Sequence, residues 1–262
     1  MNEEKLVTYY NKFNEDKRLT HRHGIVEFNT TMHYIKKYLK EYKDPKILDV
    51  GAGTGAYTIP LSLMGYDVKA LELVKHNLMY IKKKNSDIDV YQGNAINLSK
   101  FKDNTFDIVL LFGPMYHLIS FDDKLKALNE AKRVLKKDGL IFISYYMNEY
   151  GIIKHGFMED KIMEEIDRNV IDNNFKINSK DDDLYSFVRI EDIKKLSKLT
   201  NLKRVKILAQ DGPSDYIRSY INKMDDKTFE TYMDYHMKTC ERKELLGASS
   251  HILDILKKDW LF

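Results

Sequence analysis

The chain of 262 residues has a single cysteine, Cys240, four prolines and one tryptophan. A lone thiol excludes an internal disulfide and any zinc site built on paired cysteines. It lies in the charged run Met237-Lys-Thr-Cys-Glu-Arg-Lys243, without a glycine-rich turn to mark an activated thiolate, and reads as an ordinary residue. Long apolar runs are missing as well. Stretches such as Ile108 to Phe112 and Leu140 to Ser144 fall far short of the roughly 20 residues that cross a bilayer. Met1 to Lys5 is polar, with no apolar segment behind it of the kind a secretory signal carries, so a cytoplasmic protein is expected. Nor is there an excess of one charge: 43 Lys and Arg against 40 Asp and Glu leave +3, which weighs against a dedicated nucleic-acid binder. The basic runs Lys82 to Lys84 and Lys203-Arg204 read as solvated element ends. No His-x-x-x-His or clustered carboxylate spacing is present, and Asp181 to Asp183 lacks the glycine and distal glutamate of a calcium loop, so no metal is expected.

What remains is globular. Hydrophobic residues make up 43% and aromatic residues 12%, enough for one or two domains with a sizeable core. Lys46-Ile-Leu-Asp-Val50 is an apolar run that ends at Gly51-Ala-Gly-Thr-Gly55. An apolar pattern of helical width follows to Met64, Gly65 closes that helix, and Asp67 to Leu73 supplies a second strand: a β-α-β unit. Val74 to Lys84 predicts a helix, Ile88 to Tyr91 a third strand and Phe106 to Phe112 a fourth. The last is nearly all apolar, as in strands covered on both faces by crossover helices. Ser120-Phe-Asp-Asp123 has the pattern of a capping box. The helix after it stops at Lys137-Asp138-Gly139, and Leu140 to Tyr146 is the fifth strand. From Met147 the pattern changes. Ile162, Ile166 and Val170 predict an amphipathic helix, Glu191 to Thr200 another helix, and Leu202 to Ala209 and Ser250 to Leu256 two more strands. The organisation is an N-terminal helical cap segment (1–44), a cofactor-binding core (45–146), a helical cap insertion (147–189) and a C-terminal part of the sheet (190–262) with a second insertion at about 212–246.

Three glycines between a strand and a helix let the backbone turn sharply and admit a ligand close to the main chain. The spacing is GxGxG rather than the GxGxxG of a dinucleotide loop, and Glu72 lies at the end of the next strand, where a carboxylate can accept hydrogen bonds from both hydroxyls of a ribose. The blocks Ile47-Leu-Asp-Val-Gly-Ala-Gly-Thr-Gly55, Glu72 and Val134-Leu-Lys-Lys-Asp-Gly-Leu140 resemble those of the class I S-adenosylmethionine-dependent methyltransferases, in unbroken order from about Lys46 to Ser144. The resemblance implies an α/β, Rossmann-like, doubly wound sheet of seven mostly parallel strands with the last antiparallel. It also implies S-adenosyl-L-methionine as cofactor, with S-adenosyl-L-homocysteine as product. By the same likeness Asp49, Gly51, Ala52, Gly53 and Gly55 hold the methionine part, Glu72 and Leu73 the ribose, and Asn94 and Ala95 the adenine, with Phe112 at the edge of the site. Asn94 stands where many members have Asp, and its amide oxygen can still accept from the adenine amino group.

The end of the fourth strand, Phe112-Gly-Pro-Met-Tyr-His-Leu118, departs from the Asn/Asp-Pro-Pro-aromatic box of enzymes that methylate nucleic-acid bases. It is similar to a small-molecule subset with a Gly-Pro-Leu-Tyr-His-like block. Tyr116 and His117 are the candidate catalytic residues: they position or deprotonate a nucleophile, or they pack under the cofactor and bond a backbone carbonyl. Tyr9-Tyr10, Arg18-Leu19, Glu27-Phe28 and Leu245 to His251 resemble the same subset, Arg18 as a partner for the methionine carboxylate. Tyr145, Tyr146, Tyr150 and Tyr185 line a substrate pocket or belong to the core. The expected partner is a small-molecule acceptor, with no membrane and no nucleic acid. An RNA-modifying methyltransferase and a non-catalytic S-adenosylmethionine-binding protein are the alternatives.

Overall fold

A computed structural model of the chain describes residues 3–12 and 19–258. The N-terminal helices are α1 (Glu3–Lys12) and α2 (Arg22–Leu39). The core then alternates β1 (Lys46–Val50), α3 (Thr58–Leu63), β2 (Asp67–Glu72), α4 (Lys75–Lys84), β3 (Asp89–Gln92), β4 (Phe106–Leu111), α5 (Phe121–Val134) and β5 (Leu135–Tyr146), and α6 (Ile190–Leu199), β6 (Leu202–Ala209), α7 (Asp226–Thr239) and β7 (His251–Lys258) complete the described part. The strands form one sheet in the order β3-β2-β1-β4-β5-β7-β6. All pairings from β3 across to β5 are parallel, and β7 runs antiparallel to both its neighbours. This is the expected seven-stranded Rossmann-like arrangement.

Because successive strand residues face opposite sides, the sheet carries two cores. Leu48, Val50, Val109, Leu111, Ile141 and Ile143 meet Ala127, Leu128 and Ala131 of α5 with Ile193 and Leu196 of α6. Ile47, Ile108, Leu110, Phe142, Leu253 and Ile255 meet Ile35 and Leu39 of α2 on the other face. Ser120 caps α5 by accepting from the Asp123 N–H at 3.0 Å, as its pattern predicts. Gly65, at φ +90°, ends α3 in a Schellman motif: its N–H donates to Ser62 and that of Tyr66 to Leu61.

Two expectations change. No loop separates α5 from β5. Leu135 pairs with Phe106 and the strand continues through Lys137-Asp138-Gly139, where Asp138 at φ +62° and a register shift mark a bulge instead of a turn. The amphipathic helix through Ile162, Ile166 and Val170 is also absent. A π-helical turn, Ile152–Phe157, leads to the short helix Ile162–Asp167, which buries none of its residues. Asp160 and Asn169, both at φ +55°, bound that helix, and Val170 and Ile171 turn inward beyond it. The cap insertion is held instead by Asn148, which donates to the Phe175 carbonyl at 2.9 Å and accepts from the Ile177 N–H at 2.8 Å. Of the four tyrosines that either line a pocket or belong to the core, Tyr145 takes the second place, packed on β5 at 1% exposure. Cys240 is buried, and burial pushes its thiol up, away from activation. Among the described residues no helix is long and apolar enough to cross a membrane.

Candidate active site

The strand order reverses between β1 and β4, and ligands of open α/β sheets sit outside the carboxyl ends of the strands at such a switch point. At this edge lies a cleft open to solvent on one side. Its lining brings together Asp49, Gly51, Ala52, Gly53, Glu72, Leu73, Asn94, Ala95, Phe112, Tyr116 and His117. Of the residues assigned from the sequence to the cofactor or to catalysis, Gly55 lies outside it, as do Tyr146, Tyr150, Tyr185 and His251 of the further candidates. The missing Cβ of Gly55 faces Ile59 and Ile81, so that glycine lets α3 pack against α4. Arg18 lies outside the described residues.

The glycine loop is shaped by close approach. Gly51 takes φ +75°, and a Cβ there would stand 2.5 Å from Cδ of Pro114, so this glycine lets the loop after β1 meet the turn after β4. Glu72, 6% exposed, fixes the same loop from β2: one carboxylate oxygen accepts from the Gly53 N–H at 2.8 Å and the other from the Val74 N–H at 2.9 Å. Burial pushes the Glu72 carboxyl up, against the pull of those donors and of Asn77. Asp49 is 2% exposed. Its burial pushes the carboxyl up to about 7, while the Thr58 hydroxyl, donating at 2.6 Å, pulls down and the Glu72 charge pushes further up. The Oγ1 of Thr54, in the loop itself, is buried without a hydrogen-bond partner among the described residues, so the cleft offers a ligand an unused donor and acceptor.

Asn94 is busier than its sequence position implies. Its oxygen accepts from the Ile96 N–H at 3.2 Å and its amide donates to Glu3 of α1 at 2.5 Å, which leaves a second lone pair on the oxygen for a ligand. Aromatic rings close the wall below: Phe28 lies 5.5 Å from Tyr57, and Tyr57 4.8 Å from Phe112. Leu6 and Tyr10 of α1 and Leu19 line the cleft from above.

His117, 5% exposed, has both ring nitrogens engaged. Nδ1 faces the Leu184 carbonyl at 2.9 Å, which can only accept, so Nδ1 carries the proton. Nε2 then accepts from the Tyr10 hydroxyl at 2.7 Å. The residue ties α1 and the cap segment to the turn after β4. Lys124 of α5, 3% exposed, secures the same turn by donating to the Leu118 and Ile119 carbonyls and to Ser186 Oγ, and burial pushes its ammonium down to about 8. Tyr116 meets Tyr146 at 4.9 Å and Tyr185 at 6.2 Å, and Tyr185 donates to the Tyr9 hydroxyl at 3.2 Å. Tyr150 donates to Asp215 instead.

Sequence reasoning missed Lys124, Thr54 and one cluster. Glu27 of α2, Asp211 after β6 and His251 at the start of β7 are all buried and bring their ligand-type atoms within 4.8 Å of one another. Residues so far apart in the chain leave no spacing signal, so the absence of a metal motif was silent on them.

Residues 48–143 match the family described as methyltransferase domain. Curated relatives include a demethylmenaquinone methyltransferase of Renibacterium salmoninarum, 36% identical over 101 residues, which are 38% of this chain and 41% of that protein. A glycine/sarcosine N-methyltransferase of Aphanothece halophytica is 29% identical over 112 residues, 41% of this chain and 42% of that protein. The chain thus spans about two fifths of the length of the curated relatives it matches. Among solved structures the PH0226 protein of Pyrococcus horikoshii superposes with a TM-score of 0.61 at 16% identity, over 96% of this chain and 99% of that one. The family match covers the strands and loops that build the cleft, and the fold agrees over the full sheet. Over residues 48–143 the chain is thus similar to the methyltransferase-domain family, and its sheet is that of solved S-adenosylmethionine-dependent methyltransferases such as one from Methanosarcina mazei, with a TM-score of 0.58 at 13% identity, over 86% of this chain and 96% of that one.

Proposed function

We propose that the protein moves the methyl group of S-adenosylmethionine to an N, O or C nucleophile of a small molecule. The observation that carries this reading is the cleft at the switch point, in which a glycine loop, two buried carboxylates and an unused hydroxyl converge. When bound, the cofactor supplies an already activated methyl, so the protein has only to align the partners, exclude water and, where needed, move a proton. Gly51 to Thr54 present backbone to the methionine part, and Asp49 answers its ammonium. Glu72 accepts from the ribose hydroxyls, Asn94 from the adenine amino group, and Leu73, Ala95 and Phe112 supply apolar walls. Tyr116 sits at the acceptor end. We assign His117 the positioning role, because both of its nitrogens are already bonded and the contact with Tyr10 holds α1 over the cleft.

The acceptor enters between the turn after β4 and the cap insertion. Tyr185 borders both the cleft residues and a second pocket lined by Gly151, Val170, Ile171, Ile177 and Phe187, which suits an acceptor with an apolar part. The test is transfer from S-adenosylmethionine labelled with tritium in the methyl group. Label entering the small-molecule filtrate of a cell extract supports the reading. Label entering RNA instead, with a rate falling steeply in salt, favours an RNA-modifying enzyme. Binding without any transfer leaves a non-catalytic sensor.

A further inference from the structure

Among the described residues Lys124 is the only buried lysine, and no carboxylate forms an ion pair with it. A buried ammonium without a counter-ion is costly unless hydrogen bonds satisfy it. Here they converge on one joint. The ammonium donates to the Leu118 and Ile119 carbonyls, just past the turn that carries Tyr116 and His117, and to Ser186 Oγ of the cap insertion at 2.8 Å. Ser186 completes the joint: its hydroxyl donates to the Leu118 carbonyl at 3.0 Å and its N–H to the Tyr116 carbonyl at 2.8 Å. Two residues on, the Val188 N–H donates to the Tyr146 carbonyl at 2.9 Å. The segment is thus stitched along the turn after β4 and the end of β5. Ser186 and Val188 are buried, and Tyr185 and Phe187 alternate with them. The Tyr185 ring lies 5.2 Å from His117, the Phe187 ring 5.7 Å from Tyr146, and both line the pocket of the cap.

We propose that Lys124 is a positioning residue for the methyl acceptor: its ammonium locks the segment around Ser186 to the turn after β4 and so holds Tyr185 and Phe187 as the wall that the acceptor meets. The role rests on the methyl-transfer reading above, the lock itself only on the bonds just described. Burial pushes the ammonium down to about 8, against the charges of Asp192 on α6 and Asp123 on its own helix. From the turn and the cap segment it meets only carbonyls and a hydroxyl. Deprotonation takes one donor and the charge from a joint with three acceptors. The lock is therefore closed below about 8 and loosens above it.

The test compares wild type with Lys124→Met, Lys124→Arg and Ser186→Ala on the full chain. Hydrogen exchange read by mass spectrometry follows residues 184–188, and calorimetry with S-adenosylhomocysteine measures binding. Tritium from labelled S-adenosylmethionine entering the small-molecule filtrate of a cell extract measures transfer. Lys124→Met should bind as wild type does, raise exchange at 184–188 about tenfold, the effect of one lost hydrogen bond, leave β1 and β4 protected, and lower transfer. Ser186→Ala, which removes only the cap end of the joint, should act in the same direction by less. In wild type, exchange at 184–188, corrected for its intrinsic base-catalysed rate, should rise and transfer fall as pH passes about 8. Lys124→Arg, whose charge does not titrate there, should move both changes to higher pH. Unchanged protection at 184–188 in Lys124→Met and Ser186→Ala overturns the lock, as does the same pH course in wild type and Lys124→Arg. Exchange raised equally in β1 and β4, or binding lost in step with transfer, makes Lys124 a residue of general stability and overturns the positioning role. Should Lys124→Met not fold, Ser186→Ala and the pH course decide. A wild type that binds but labels nothing in the filtrate defeats the transfer reading itself, while the exchange result on the lock stands.

Discussion

Two buried carboxylates set the behaviour of the cleft at the level of single residues. Asp49, pushed up to about 7 by burial, is half protonated near neutral pH when the cleft holds no cation. An ammonium arriving beside it favours the ionised form. Binding of S-adenosylhomocysteine should therefore release a proton near pH 7 and tighten as pH rises through that value; calorimetry in buffers of different ionisation enthalpy checks this, and Asp49→Asn should abolish the release. The same shift has a sign for stability. The folded-state value lies above the unfolded one, so the contribution of Asp49 to stability is fully present below about 4 and is lost as pH rises toward 7 in the ligand-free protein. Glu72 does two jobs, bonding the Gly53 and Val74 N–H groups while facing the cleft. Glu72→Ala should weaken cofactor binding by about 1.5 to 3 kcal/mol, the worth of a charge-assisted hydrogen bond. It should also lower the melting temperature, because it orphans the Gly53 and Val74 amides. Equal binding by mutant and wild type would remove Glu72 from the ribose site.

At the level of elements, α1 closes part of the cleft wall through Leu6 and Tyr10. It is anchored by the Tyr10–His117 and Tyr185–Tyr9 hydroxyl contacts and by Asn94 to Glu3. Tyr10→Ala should speed dissociation of S-adenosylhomocysteine about tenfold, the effect of one lost hydrogen bond of about 1.4 kcal/mol. His117→Ala should act in the same direction, lowering affinity more than turnover; a loss confined to turnover would make it a base after all. The elements differ in how readable they were. The glycine loop, Glu72 and the capped start of α5 were legible because each depends on residues within one or two turns of chain, where backbone geometry restricts the choice of side chain. The cap insertion was not. Ile162, Ile166 and Val170 have helical spacing, but Asn169 in a left-handed conformation and the clamp by Asn148 come between them. The bulge in β5 was hidden too, since Lys137-Asp138-Gly139 has turn chemistry and only the pairing with β4 draws it into a strand.

On the scale of the molecule, the sheet decides what meets what. The antiparallel pairing of β7 with β5 and β6 sets His251 opposite Tyr146 and carries Asp211 to the same edge, a meeting no local pattern encodes. Two cores, one on each face, flank the sheet, and the cleft lies at its carboxyl edge across β1 and β4. The central claim is that this cleft is built for S-adenosylmethionine, and titration calorimetry on the full chain tests it most directly. S-adenosylmethionine and S-adenosylhomocysteine should each bind at one site per chain, and NAD should not bind. No heat with either S-adenosyl compound, or NAD binding as tightly as they do, would contradict it.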